Sequence, residues 1–201
     1  MMDCAFFVIS ERVHLKYTIC AHTQGVDFLS KRLVRTMTLE IRPVREDDCE
    51  IVRQLIFDLA RYERLEDQCH ATVEGLHEEL FGPRAVIRCV IAWERDEVTN
   101  VERPVGFALY FFNFSTFLTR RGLYLEDLYV VEDARRKGYG RALIRYLANT
   151  AIKEGCGRFD WSVLDWNQPA IDFYERMGAV VMPDWRLCRL AGDALKKAAQ
   201  D

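Results

Sequence analysis

The chain has 201 residues, half of them hydrophobic, and a formal charge of −3 at pH 7. That length accommodates one globular domain with an extension. The slight acidity and the lack of a long basic run give nucleic acid and anionic membranes no electrostatic hold. The seven cysteines, Cys4, Cys20, Cys49, Cys69, Cys89, Cys156 and Cys188, are scattered and contain no C-x-x-C. They read as reduced thiols of a cytoplasmic protein. His14, His22, His70 and His77 do not pair with them at ligand spacing, so no metal site is expected. The longest apolar run, Val105 to Phe114, is too short to span a membrane and is interrupted by Gly106 and Asn113. Asp3 and the short run Ala5 to Ile9 do not make a secretory signal.

Residues 1–36 show no sustained period and read as an N-terminal extension, poorly ordered or upstream of a start at Met37. Residues 37–201 read as the working domain. Thr38-Leu39-Glu40-Ile41-Arg42 alternates as a first strand, and Pro43 ends it. Asp47 or Asp48 can cap a helix that carries Ile51, Leu55, Ile56, Leu59 and Ala60 at helical spacing. A second helix is expected from Thr72 to Phe81, stopped by Gly82-Pro83. Three strands follow, Ala85 to Trp93, Val105 to Phe114 and Leu123 to Val130, with a polar turn over Asp96 to Arg103. Gly138 and Gly140 precede a helix with Leu143, Ile144, Leu147 and Ile152 on its apolar face. Then come a strand at Arg158 to Val163, a helix at Pro169 to Met177 and a last strand at Trp185 to Leu190. This order describes an α/β fold with a mixed sheet flanked by helices, not a βαβ repeat.

The strongest local signal is Arg135-Arg136-Lys137-Gly138-Tyr139-Gly140-Arg141-Ala142, between a strand and a helix. Glycines allow close backbone approach, and a helix start offers free N–H groups and a positive dipole end. Both suit a pyrophosphate, and the basic side chains add counter-charge. A Walker loop would need Gly-Lys-Ser/Thr, and a dinucleotide fingerprint would need a small residue where Leu143 stands. A simple turn remains the plain alternative.

Together with the strand before it, Arg135-x-x-Gly138-x-Gly140-x-Ala142 resembles the acetyl-CoA motif of the GNAT superfamily of N-acetyltransferases. Asn167-Gln168-Pro169-Ala170-Ile171-Asp172-Phe173-Tyr174 resembles a second segment of the same family. Ile41-Arg42-Pro43, Leu59-Ala60-Arg61-Tyr62-Glu63, Leu123-Tyr124-Leu125-Glu126-Asp127, Trp166-Asn167-Gln168-Pro169 and Trp185-Arg186-Leu187 are similar to the spermidine/spermine N-acetyltransferase group. The resemblance implies the GNAT fold, with a mostly antiparallel mixed sheet, and acetyl-CoA as co-substrate. It places Leu128, Tyr129, Val130, Arg135, Arg136, Lys137, Gly138, Tyr139, Gly140, Arg141, Ala142, Asn167, Pro169, Ala170 and Tyr174 around the coenzyme. It implies a small amine substrate and a homodimer.

Chemistry gives the matched residues their roles. An alkylammonium, with a pKa of about 10.4, must lose a proton before it attacks a thioester. Glu126 matches the family's acid and would take that proton through water. The Leu128 amide would face the developing oxyanion. Tyr174 matches the general acid that protonates the departing thiolate. Asn167 would bond the pantetheine arm or cap the next helix, and Pro169 supports the cap equally well. Asp127 adds charge, but strict alternation would turn it away from Glu126. Tyr62, Glu63 and Asp184 match amine-binding positions. Ser115 and Thr116 stand where polyamine-specific members carry an acid and a tryptophan, and resemble the branch that prefers thialysine. The same coenzyme motifs would also serve a protein lysine or N-terminal acetyltransferase, or a module that binds acetyl-CoA without turnover.

Overall fold

The computed structural model describes residues 17–19 and 35–200. The chain divides into two compact units, one ending at Ser162 and one running from Val163. The first unit carries a six-stranded sheet in the order β1 to β6, formed by β1 (Tyr17–Ile19), β2 (Arg35–Pro43), β3 (Arg88–Asp96), β4 (Glu102–Ser115), β5 (Arg120–Val130) and β6 (Arg158–Trp161). All neighbours are antiparallel except β5 and β6, which run parallel. A parallel pair needs a long crossover, and α3 (Tyr139–Lys153) supplies it. The mixed, mostly antiparallel sheet is the one expected. β1 was not: it adds to the free side of β2, with Tyr17 opposite Met37. The rest of the reading for residues 1–36, apart from Arg35 and Thr36, lies outside the described residues.

Helix α1 (Cys49–Glu63) buries Cys49, Val52, Leu55 and Leu59, which recur at helical spacing. Asp48 stands at its N-cap position without capping through its side chain; its Oδ2 accepts instead from the Arg45 amide at 2.8 Å. The helix ends at Arg64, whose φ of 62° turns the chain left-handed. Helix α2 (Val73–Phe81) starts as expected, with Thr72 Oγ1 accepting from the Gly75 amide at 3.1 Å. Past Gly82, the amides of Val86 and Ile87 fold back onto the Glu79 carbonyl, which delays β3 to Arg88.

One face of the sheet holds Cys89, Ile91, Phe107 and Leu109 against Val52, Leu55, Leu59 and Leu76 of α1 and α2. On the other face α3 packs across β2, β4, β5 and β6, burying Leu143, Ile144 and Leu147. Cover on both faces explains why β4 reads as a continuous apolar run from Val105 to Tyr110 instead of alternating.

Two register shifts interrupt the ladders. Between β4 and β5, Leu109 faces Asp127 while Tyr110 faces Leu125, so Glu126 is the extra residue of a β-bulge. The ladder from β5 to β6 covers only Gly122 to Leu125. Beyond it, the β6-side peptide groups of Glu126 to Val130 have no strand partner among the described residues.

In the second unit, α4 (Gln168–Arg176) is capped by Asn167, whose Oδ1 accepts from the Ala170 amide at 3.4 Å. Pro169 sits in the first turn, where a missing N–H costs nothing. Residues 185–190 do not form the expected strand. Their alternation fits strand spacing, but a strand exists only with a ladder partner, and none pairs with them among the described residues. Trp185 is 74% exposed, and Leu187 and Leu190 are exposed as well. A short helix, α5 (Gly192–Ala198), follows and was not foreseen.

Candidate active site

The Arg135–Ala142 loop closes into the start of α3. Gly138 occupies the N-cap position with φ 87°, a left-handed conformation that suits glycine. It brings no side chain to cap the first turn. The first intrahelical bond runs from the Ala142 amide to the Gly138 carbonyl at 3.0 Å. First-turn amides have no acceptor within a helix, and the dipole makes them partly positive. The helix start is thus an anion site in outline, and Gly140 lies inside its first turn.

The loop's basic side chains divide into two pairs. Arg135 turns inward: its Nε donates to the Val130 carbonyl at 3.0 Å, and its guanidinium lies 4.4 Å from the Tyr62 ring centre and 5.5 Å from that of Tyr129. Lys137 also turns inward and donates to Glu94 Oε1 at 2.9 Å. Arg136 and Arg141 are exposed. Tyr139 is buried, with its hydroxyl donating to Glu94 at 2.6 Å.

Glu94 is a residue the sequence reading missed. It shares a sheet face with Val90 and Ala92, where a charge demands partners, and that was the signal available. Burial alone would push its carboxyl up. Hydrogen bonds from Tyr139, Lys137 and Arg103 outweigh that and hold it below the ordinary carboxylate value.

The bulge on β5 decides where the acids point. Directly opposed residues share a face. Asp127 therefore lies with Leu109 on the α1 side, whereas Leu125 lies with Tyr110 on the α3 side. The alternation that would have turned Asp127 away from Glu126 breaks at Glu126 itself. Glu126 is exposed and Asp127 is half-buried. Burial, then the charges of Glu126 and Glu63, push the Asp127 carboxyl up to about 6. Glu63, the last residue of α1, is also raised, by burial. The bulge and the end of α1 thus bring Glu126 and Glu63 into electrostatic range of Asp127. Tyr62, beside Glu63, ties the same helix end to Arg135.

Leu128, Tyr129 and Val130 continue β5 from the acids toward the loop. Asp127 to Val130 spans roughly 10 Å of extended chain. Ser115 and Thr116 stand elsewhere, at the tip between β4 and β5. Ser115 is buried, and its Oγ accepts from the Leu118 amide at 3.3 Å. Leu109, opposite Asp127, lies six residues away along β4, roughly 20 Å of extended strand.

In the second unit, Tyr174 is buried to 9% exposure and its ring lies 5.2 Å from that of Phe173. Ala170 begins the hydrogen-bonded part of the same helix. Asp184 is exposed in a turn.

A helix start with no side-chain cap, next to a strand whose outer peptide groups have no ladder partner among the described residues, offers donors for the phosphates and amides of a coenzyme. The acetyltransferase (GNAT) family model matches residues 50–179, and the chain belongs to this family of N-acetyltransferases. It is 35% identical to an L-ornithine N5-acetyltransferase of Arabidopsis thaliana, over 80% of this chain and 87% of that one. It is 35% identical to the thialysine N-epsilon-acetyltransferase of Bos taurus, over 79% of this chain and 96% of that one. Among solved structures, an integron cassette protein from the mobile metagenome of V. cholerae superposes with a TM-score of 0.66. That protein is 28% identical, and the match covers 81% of this chain and 98% of the other. Family membership implies acetyl-CoA as co-substrate. The uncapped first turn behind Gly138 and the β5 peptide groups left by β6 suit its pyrophosphate and its amide-bearing arm. No helix among the described residues is long and apolar enough to cross a membrane.

Proposed function

We propose that the protein moves the acetyl group of acetyl-CoA onto a primary amine of a small cationic substrate, thialysine or a short diamine ahead of a long polyamine. The observation that carries this reading is the group of three carboxylates, Glu63, Glu126 and Asp127, around the β5 bulge. They attract an ammonium group, and the exposed Glu126 takes its proton through water. Acetyl-CoA supplies an activated thioester. The Leu128 amide faces the oxygen that gains charge, and Tyr174 returns a proton to the sulfur. Arg136, Gly138, Gly140, Arg141 and Ala142 hold the phosphates, and Asn167, Pro169 and Ala170 match the family segment that meets the coenzyme. Tyr62 joins the amine site, and Asp184 matches a substrate-binding acid of the family. The relatives named for thialysine and ornithine support a short, basic amino acid.

The protein acts as a homodimer in this reading. Ser115 and Thr116 lie too far along β4 from the bulge of their own chain to touch a short amine there. They fit a substrate role across a subunit interface. The exposed Val180, Val181, Met182, Trp185, Leu187 and Leu190 offer an apolar stretch that a second copy would cover.

Coenzyme A release, measured across thialysine, ornithine, lysine, putrescine, spermidine, spermine and a lysine peptide, tests the assignment. The highest kcat/KM is expected for thialysine or another short amine. A clear preference for spermine or for the peptide would overturn it.

A further inference from the structure

We propose that Glu94 is a positioning residue for the coenzyme: it fixes the phosphate loop from beneath and keeps Lys137 out of the phosphate site. The inference rests on the reading of the α3 start as the coenzyme's phosphate site. Glu94 lies on β3, outside every motif by which that site is recognised.

The geometry is a bracket around the loop. Glu94 is 1% exposed and receives four hydrogen bonds. Arg103, its partner across the β3–β4 ladder, donates to Oε2 through Nε at 3.0 Å and through Nη2 at 2.8 Å. Lys137 Nζ and the Tyr139 hydroxyl donate to Oε1 at 2.9 and 2.6 Å. Arg103 extends the bracket with its remaining arm, donating from Nη1 to Asp133 Oδ2 at 2.7 Å. Asp133 lies in the short 3-10 turn that precedes the loop, and Tyr139 is the first residue of α3. Both ends of the Ala134–Gly138 segment are therefore fastened to one cross-strand pair.

That segment needs fastening. Arg136 has φ 62° and Gly138 has φ 87°. A left-handed Arg is unfavourable on its own, so its surroundings must hold it. The two consequences are linked. The first-turn amides of α3 point where the loop aims them, and the loop is aimed by Glu94. The Lys137 ammonium is paired with Glu94, so the loop presents Arg136 and Arg141 to an anion. Glu94 thereby sets both the orientation and the charge of the phosphate site without touching the ligand.

Glu94→Gln keeps the shape but replaces an acceptor-only group with one that must donate toward Lys137, Arg103 or Tyr139. Titration calorimetry of purified protein with acetyl-CoA is expected to show Kd raised roughly 10- to 100-fold, the scale of a displaced binding group. Acetyl-pantetheine, an acyl donor without pyrophosphate or nucleotide, separates positioning from general damage: its kcat/KM should stay within about twofold of wild type, since it makes no use of the phosphate site. Should Glu94→Gln fail to fold, Tyr139→Phe removes one donor of the bracket and keeps the ring; it should raise Kd by a factor of at least about three with the same split between donors. A folded variant that binds acetyl-CoA like wild type, or that loses activity equally with both donors, overturns the role of Glu94. Wild-type protein that does not bind acetyl-CoA at all would instead overturn the reading of the site.

Discussion

Replacing Asp127 with Asn removes one charge at nearly constant volume, and the structure says that this charge opposes folding. The Asp127 carboxyl is raised from 3.8 to about 6, first by burial, then by Glu126 and Glu63. The folded protein thus holds this proton more tightly than the unfolded chain does. Well below pH 3.8 both states are protonated and the residue costs nothing. As pH climbs, the unfolded chain ionises first and stability falls; above about pH 6 the full penalty is present. At about 1.4 kcal/mol for each tenfold change in proton affinity, the penalty at neutral pH approaches about 3 kcal/mol. Asn carries no such penalty. Urea unfolding at stepwise pH should show Asp127→Asn more stable than wild type by about 2–3 kcal/mol at pH 7.5, the difference vanishing toward pH 4. The melting temperature at neutral pH should rise by roughly 5–10 °C. Amine kcat/KM should fall in the same variant, the trade expected of a group kept for binding. A stability difference that is flat between pH 4 and 8, or a variant less stable than wild type at pH 7.5, would refute the reasoning.

Tyr174→Phe keeps the ring and removes the hydroxyl, so acetyl-CoA affinity should persist while kcat falls by about 10²–10⁴; wild-type kcat with chemistry rate-limiting would return Tyr174 to packing alone. Glu126→Gln should depress amine kcat/KM most at neutral pH and recover part of it as pH rises and free amine becomes abundant, read from a pH–rate profile in which Tyr174→Phe shows no such recovery. Gly138→Val puts a β-branched residue at a φ of 87°, at the phosphate site. Calorimetry should find acetyl-CoA binding lost, and unchanged affinity in a folded variant would count against the site. Light scattering at micromolar concentration should give a dimer, and Trp185→Glu should shift it to monomer; a wild-type monomer would end that proposal.

What was legible in the sequence was whatever is written locally. The helical spacing of Ile51, Leu55, Ile56 and Leu59, the Thr72 cap and the turn chemistry of Gly82 place α1 and α2 to within a few residues, although the structure buries Val52 where the sequence suggested Ile51. The Gly138 loop suggested a phosphate site because two glycines ahead of a helix form a pattern among neighbours in sequence. The bulge at Glu126 was not legible, because it is a relation between β4 and β5, and its effect is to reverse the face that alternation assigns to Asp127. The inward turn of Lys137 depends on Glu94, more than forty residues earlier. Trp185 to Leu190 misled for the opposite reason: a strand period is a local property, but a strand needs a partner. β1 was missed because three residues are too few to show a period.

The early stop of the β5–β6 ladder at Leu125 leaves a row of peptide groups spaced to receive another extended chain. A coenzyme arm is one such chain, but so is a strand of a half-folded neighbour. Natural sheets discourage strand addition by setting charges at such places. Glu126, exposed and the extra residue of the bulge, stands at the head of this row. A charge at that point would discourage such strand addition, and a coenzyme arm lying along the row would block it as well.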